Sequence, residues 1–180
     1  MEALRSFLIP LRGLSDGHHR YEFRVSDSFF DQFEGAPVHA GEFDVVLDLD
    51  KRSRLLELDF NIEGKEFTSC DRCLNPIALP VSGTYKLYVK YGEDQEEDAD
   101  VAFIPEGTDE LDVSRFIYEF IALSIPMVKV YDCQDEEEPP CNFEVLEKLE
   151  GQDEETEAPD DENNPWSELK KLTDLSKDKK

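Results

Sequence analysis

The sequence is poor in the residues and patterns that most often carry chemistry. It has three histidines, four cysteines, nine glycines and a single tryptophan among 180 residues. His18, His19 and His39 all fall near the N-terminus, and none belongs to the His-Glu-x-x-His pattern of catalytic zinc sites. Neither glycine pattern that cradles phosphates is present, and there is no EF-hand loop. Long apolar runs are missing as well. The patch at residues 7–11 is closed by Arg12 and is too short for the core of an export signal. The run at residues 120–128 is interrupted by Pro126 and reaches only about half the length that spans a bilayer. These absences predict a cytoplasmic protein that is neither membrane-bound nor an enzyme. In a reducing compartment its cysteines are expected as thiols or metal ligands and not as disulfides.

What is abundant is negative charge, with a formal net value of -25. Residues 92–112 hold ten acidic side chains and no lysine or arginine. Residues 132–162 hold fifteen acidic side chains and one basic one, Lys148. Outside these two stretches the chain is close to neutral. The charge therefore belongs to inserts or tails and not to the folded part. Such a field repels phosphate backbones and attracts basic surfaces. The plainer role is that of a solvated linker.

Leu, Ile, Val and Phe together make 49 of the 180 residues, enough for one sizeable core. The sequence Tyr21-Glu22-Phe23-Arg24-Val25 alternates apolar and charged residues, as a half-buried strand does. Ser26 is placed to cap a short helix carrying Phe29, Phe30 and Phe33. Phe43, Val45, Leu47 and Leu49 then share one face of a strand, and Leu56, Leu58, Phe60 and Ile62 share one face of the next. Asp50-Lys51-Arg52-Ser53 between them is expected to form the hairpin connection. A third alternating run covers residues 85–91, and a short one covers residues 101–104.

The period then changes. Val113, Phe116, Ile117, Phe120 and Ile121 fall at steps of three and four, predicting an amphipathic helix over about 112–124. Asp112 is the expected N-cap, and Pro126 the stop. The expected fold class is thus α+β: one antiparallel, β-rich domain with a main helix packed on the sheet, plus acidic disordered segments. Its core spans residues 1–131. An acidic, largely disordered segment follows over 132–164, with a short helix at 143–149. Residues 165–180 close the chain with Pro165-Trp166, Leu169, Leu172 and a lysine-rich tip. Trp166 either packs back on the domain or anchors a partner.

The sharpest chemical signal is Cys70-Asp71-Arg72-Cys73. Two thiols at this spacing can grip one metal ion from one side, and zinc is the candidate cofactor. The remaining ligands would have to be Cys133 and Cys141, whose separation is wider than usual for such a pair. Asp135, Glu136, Glu137 and Glu138 lie between them and oppose a centre that already carries a net negative charge. Two reduced thiols at a strand turn are the competing interpretation. A thioredoxin-like role is disfavoured, because Pro76 and Pro80 prevent the following helix that would lower a thiol pKa.

Four features in order carry a resemblance: Cys70-Asp71-Arg72-Cys73-Leu74, then Leu111-Asp112-Val113 opening the apolar helix, then Ile121-Ala122-Leu123-Ser124-Ile125-Pro126 closing it, and finally Asn164-Pro165-Trp166 with Leu169 and Leu172. Over about residues 40–172 the chain resembles the YceD family of large ribosomal RNA subunit accumulation proteins. The resemblance implies a part in accumulation or processing of large-subunit ribosomal RNA, and hence in ribosome assembly. It supplies no catalytic residues. Cys70 and Cys73 match the family's paired cysteines, and Cys133 and Cys141 match a more compact cysteine segment only loosely.

Direct RNA contact calls for a basic face. The nearest candidate is Lys51, Arg52 and Arg54 at the hairpin tip, extended by Arg72, with Trp166 as a further partner contact. The expected partners are large-subunit assembly particles, through basic ribosomal proteins or assembly factors. Two alternatives stand beside this: a zinc-stabilised adaptor without an RNA role, and a metal-dependent ribonuclease.

Overall fold

The computed structural model describes residues 4–33, 35, 37–92, 100–133 and 139–150. The predicted Trp166 contact and the closing element lie outside the described residues. Two compact units are present, one ending at Cys141 and one beginning at Asn142.

The first unit is built on a five-stranded sheet. Its strands are β2 (Gly17–Val25), β3 (Gly41–Arg52), β4 (Leu55–Ser69), β5 (Pro76–Tyr91) and β6 (Val101–Ile104), in the order β2-β3-β4-β5-β6. All neighbours are antiparallel except β5 and β6, which run parallel. A separate ribbon pairs β1 (Leu8–Pro10) with β7 (Glu110–Asp112). The helices are α1 (Asp27–Phe30) and α2 (Ser114–Ser124) in the first unit and α3 (Phe143–Glu150) in the second. The architecture is the expected α+β class, and its one parallel pair is the departure from antiparallel expectation.

Alternation dictates which side of the sheet is dry. Phe43, Val45, Leu47 and Leu49 of β3 are buried, and so are Leu56, Leu58, Phe60 and Ile62 of β4. Val81, Leu87 and Val89 continue that surface on β5. Ile117 and Ile121 of α2 are fully buried in the same core. Phe60 sits edge-on to Phe120 with ring centroids 5.1 Å apart, and Phe120 stacks on Tyr85 at 4.6 Å. Ser124 donates to Tyr85 Oη at 3.0 Å, and a side chain at Gly83 would run into Ser124. The glycine thus lets the end of α2 come close to β5. A second cluster gathers Phe7, Phe23, Phe29, Phe30 and Phe43, with Phe7 stacked on Phe23 at 5.4 Å.

The ends of α2 follow from its flanks. Asp112 Oδ1 accepts the Ser114 N–H at 2.9 Å, satisfying a donor of the first turn. Asp112 does this from the end of β7, so the helix itself begins two residues later than expected. Ile125 is extended, as the residue before a proline tends to be, and the helix stops at Ser124. In the second unit, Asn142 Oδ1 accepts the Val145 N–H at 3.4 Å at the start of α3.

The β3–β4 hairpin corrects one expectation. Arg52 pairs with Leu55, so the turn consists of Ser53 and Arg54, and Asp50, Lys51 and Arg52 are strand residues. Their charges are accommodated there because each finds an ionic partner nearby: Lys51 has Asp16 just before β2, and Asp50 and Arg52 have each other.

Candidate functional site

Strand β4 continues past the core for another turn-free stretch, and β5 returns alongside it to form a long hairpin arm. The last pair is Ser69 with Pro76, and residues 70–75 form the loop. Prolines are tolerated in this arm because β6 pairs only with residues 88–91, leaving the other edge of the early β5 without a strand neighbour among the described residues. The Cys-x-x-Cys turn therefore sits at the far tip of the arm.

Local hydrogen bonds fix this tip. The Cys70 N–H donates to Asn75 O at 2.9 Å, and the Leu74 N–H donates to Cys70 O at 2.8 Å. Leu74 adopts a left-handed φ of 61°, unusual for a residue with a branched side chain. Both sulfurs point inward, with Cys70 and Cys73 each only 1% exposed. Burial opposes ionisation of the Cys70 thiol. Backbone N–H groups of Tyr131, Cys73 and Arg72, together with a hydrogen bond from Cys73, outweigh that and bring its pKa below the usual thiol value.

A strap from after α2 crosses the tip. The Asp71 N–H donates to Lys129 O at 2.8 Å, while the Lys129 N–H donates to Asp71 Oδ2 at 2.6 Å. Lys129 Nζ reaches back to Glu66 Oε1 at 2.6 Å. Glu66 lies on the same face of β4 as Phe60 and Ile62; its side chain is 3% exposed, and its Oε2 has no hydrogen-bond partner among the described residues. A carboxylate at an inward position is stable there only because of the ammonium group beside it. Beyond the strap, Cys133 Sγ lies 3.5 Å from Tyr131 O, and Asn75 Nδ2 donates to Pro140 O at 2.8 Å.

Cys133 and Cys141 are joined in a disulfide, with Cα atoms 6.3 Å apart, and Cys70 and Cys73 are free thiols. The second pair thus departs from the expectation of thiols throughout. A turn at Pro139 and Pro140, in which the Cys141 N–H donates to Pro139 O at 2.8 Å, accompanies the close approach that seven intervening residues had made hard to foresee. Among the described residues, no group of three or more His, Cys, Asp or Glu side chains is arranged to hold a metal ion.

The predicted basic cluster does not form one patch. Lys51 Nζ donates to Leu14 O and faces Asp16 at 3.7 Å, leaving its side chain 17% exposed. Arg52 donates to Asp50 at 2.8 Å and lies 3.6 Å from Glu57. Those contacts hold the Arg52 pKa above its ordinary value, and hold the Asp50 carboxyl below the usual range. Arg54 faces Glu106 at 3.4 Å. Arg72 is exposed on the cysteine tip, at the opposite end of β4 from Arg54. Fifteen strand residues separate those ends, roughly 45 Å at about 3.3 Å per residue, so Arg72 cannot extend the cluster.

Lys129 was foreseen only as a cation offsetting charge near the cysteines; Glu66, and its pairing with Lys129, were missed at the sequence level. A signal was available for Glu66. Inward positions of β4 run Leu56, Leu58, Phe60, Ile62, Gly64, Glu66, and a carboxylate ending that series marks either the edge of the core or a buried ion pair.

Among the described residues, no helix is long and apolar enough to cross a membrane. A family model described as "Large ribosomal RNA subunit accumulation protein YceD" matches residues 58–173. The match begins in β4 and includes the cysteine tip, β5 and α2. Neither the curated proteins nor the solved structures contain a match to this chain.

Proposed function

The chain belongs to the YceD family, and we propose that it supports accumulation of large-subunit ribosomal RNA by binding, as a non-catalytic assembly factor. In this proposal its direct partners are basic ribosomal proteins or other assembly factors on precursor particles, in the cytoplasm, and it makes little contact with RNA phosphates.

The observation that carries the choice of partner is the pairing of surface cations. Arg24 faces Asp44 at 3.5 Å, Arg12 faces Asp109 at 3.6 Å, and Arg115 bonds Glu119 at 2.7 Å. Lys86 contacts both Glu57 and Asp59, which raise its pKa well above the ordinary lysine value. Exposed pairs of this kind add little to stability. They matter here because a phosphate approaching any of these cations meets a carboxylate already in place. With a net charge of -25 the chain repels a polyanion at long range and attracts basic protein surfaces. Those interactions are screened by salt, so association is expected to weaken as ionic strength rises.

Apolar side chains offer a contact surface beside the cysteine tip. Leu74, Phe67, Met127 and Val128 are exposed, all within three residues of the cysteine turn or of Lys129. A partner attracted by charge can bury such groups once docked.

Sedimentation of tagged protein from native lysate tests the proposal. The expected result is enrichment in fractions that carry large-subunit precursors, lost progressively as salt is raised. Confinement to the light fractions in gentle salt would count against stable association with particles.

A further inference from the structure

Most of the large apolar side chains exposed in the first unit lie in two segments that meet. Leu123, Met127, Val128 and Val130 run from the last turn of α2 into the strap, and Leu74 sits in the loop that the strap crosses. The paired hydrogen bonds between Asp71 and Lys129 fasten one segment to the other. Lys129 turns its side chain in to Glu66, while Val128 and Val130 on either side of it stay exposed and Met127 is 100% exposed. Single apolar groups in water are ordinary, whereas a run of them gathered at one place marks a surface that another molecule covers.

Leu74 adds an independent observation. Among the described residues it is the one other than glycine whose φ, 61°, lies in the left-handed region, and it is 73% exposed. A left-handed backbone is unfavourable for a residue with a branched side chain, and glycine would adopt it without strain. Because the side chain fills no core, the isolated fold gains no packing to offset that strain. Strained positions of this kind cluster where a protein grips a ligand, and the side chain held here faces water beside the strap.

Charge selects the occupant. With a net charge of -25 the chain repels RNA, an anionic membrane and a second copy of itself, and attracts basic protein surfaces. Asp71 and Asp132 stand exposed on the loop and the strap, with Arg72 as the opposing charge. We propose that this surface docks a segment of a basic partner protein in which apolar side chains lie between lysines or arginines. The proposal rests on the proposed assembly role and names the part of the molecule through which such a partner is held. Long-range attraction brings the basic segment in, and Leu74 and Met127 are the apolar anchors that it covers.

The test uses the full chain and purified large-subunit precursor particles at physiological salt. A photoactivatable benzophenone amino acid replaces Met127, and the adduct formed on irradiation is identified by mass spectrometry. The expected adduct lies in a particle protein, in a segment rich in lysine or arginine with apolar residues between them. Binding of the same particles by Leu74→Gly/Met127→Ser is measured by sedimentation and should be at least about tenfold weaker, as loss of interface anchors is. The melting temperature of that variant should stay level or rise, because the strain at Leu74 is gone and no buried contact is lost. Failure of the wild-type chain to bind particles would overturn the assembly role and this docking site with it. Where the wild-type chain binds, unchanged binding by the variant would overturn the docking site alone. An adduct with RNA, with a second copy of the chain or with a segment lacking basic residues, or no adduct at all, would do the same.

Discussion

Phe60→Ala is expected to lower the unfolding free energy by about 4 kcal/mol, in the range for removing a fully buried ring. Phe60 is completely buried at the centre of β4, with neighbours on both β3 and β5. Its edge contact with Phe120 couples the sheet to α2, and the Phe120–Tyr85 stack continues the contact onto β5. Removing the ring leaves a cavity between rigid layers, where neighbouring strands cannot collapse to fill it. For a unit of this size the melting temperature should drop by about 12 °C. Phe60→Leu keeps most of the volume and should cost under about 2 kcal/mol. Chemical denaturation of the three proteins checks the series. A loss below about 1 kcal/mol for the alanine variant would mean that α2 does not close over the sheet here.

Lys129→Ala should destabilise by about 3 kcal/mol, since it leaves the Glu66 carboxylate buried without its counter-charge. The side chains are 3% and 23% exposed, so water can reach the lysine but hardly the glutamate. The double substitution Glu66→Leu/Lys129→Met removes both charges at similar volume. It is expected to recover most of the loss, because the desolvation penalty goes with the charges. A second readout follows from position. Lys129 holds the strap to Asp71 through its backbone and to Glu66 through its ammonium group; Lys129→Ala removes only the second hold, and that loss should speed alkylation of Cys70 and Cys73. If the single variant lost under 1 kcal/mol and the thiols stayed protected, the ion pair would not be what holds the strap.

Much of this fold can be read directly from the chain, and the exceptions have physical causes. β3 and β4, and the later part of β5, follow from period-two alternation because one face meets the core and the other meets water. α2 follows from its three- and four-residue spacing and its proline stop. By contrast, Leu8-Ile9-Pro10 and Glu110-Leu111-Asp112 are too short for any period to show, and they form a ribbon only through each other. The first half of β2 carries His18, His19 and Arg20 on an edge strand, where polar residues leave no apolar signature. The parallel orientation of β6 depends on how the chain returns after β5, which a four-residue run cannot encode.

The candidate site divides in the same way. The Cys70–Cys73 turn is a local feature, visible in four consecutive residues. Its partners are not local: Lys129 lies 58 residues from Asp71, and 63 from Glu66. The approach of Cys133 to Cys141 depends on a turn at two prolines, and spacing alone suggested a looser arrangement. Arg72 looked like part of a basic cluster because composition ignores strand length. The fifteen residues of β4 place it at the other end of the sheet.

The choice of partner is tested most directly by comparing two substrates at physiological salt. One is intact large-subunit precursor particles; the other is the same RNA freed of protein. Binding to particles with little or no binding to naked RNA is the expected result, because most of the described lysines and arginines already face carboxylates and the net charge is strongly negative. Comparable binding to naked RNA, weakening steeply with salt as phosphate contacts do, would contradict a protein-directed mode of action and make the chain an RNA-binding factor.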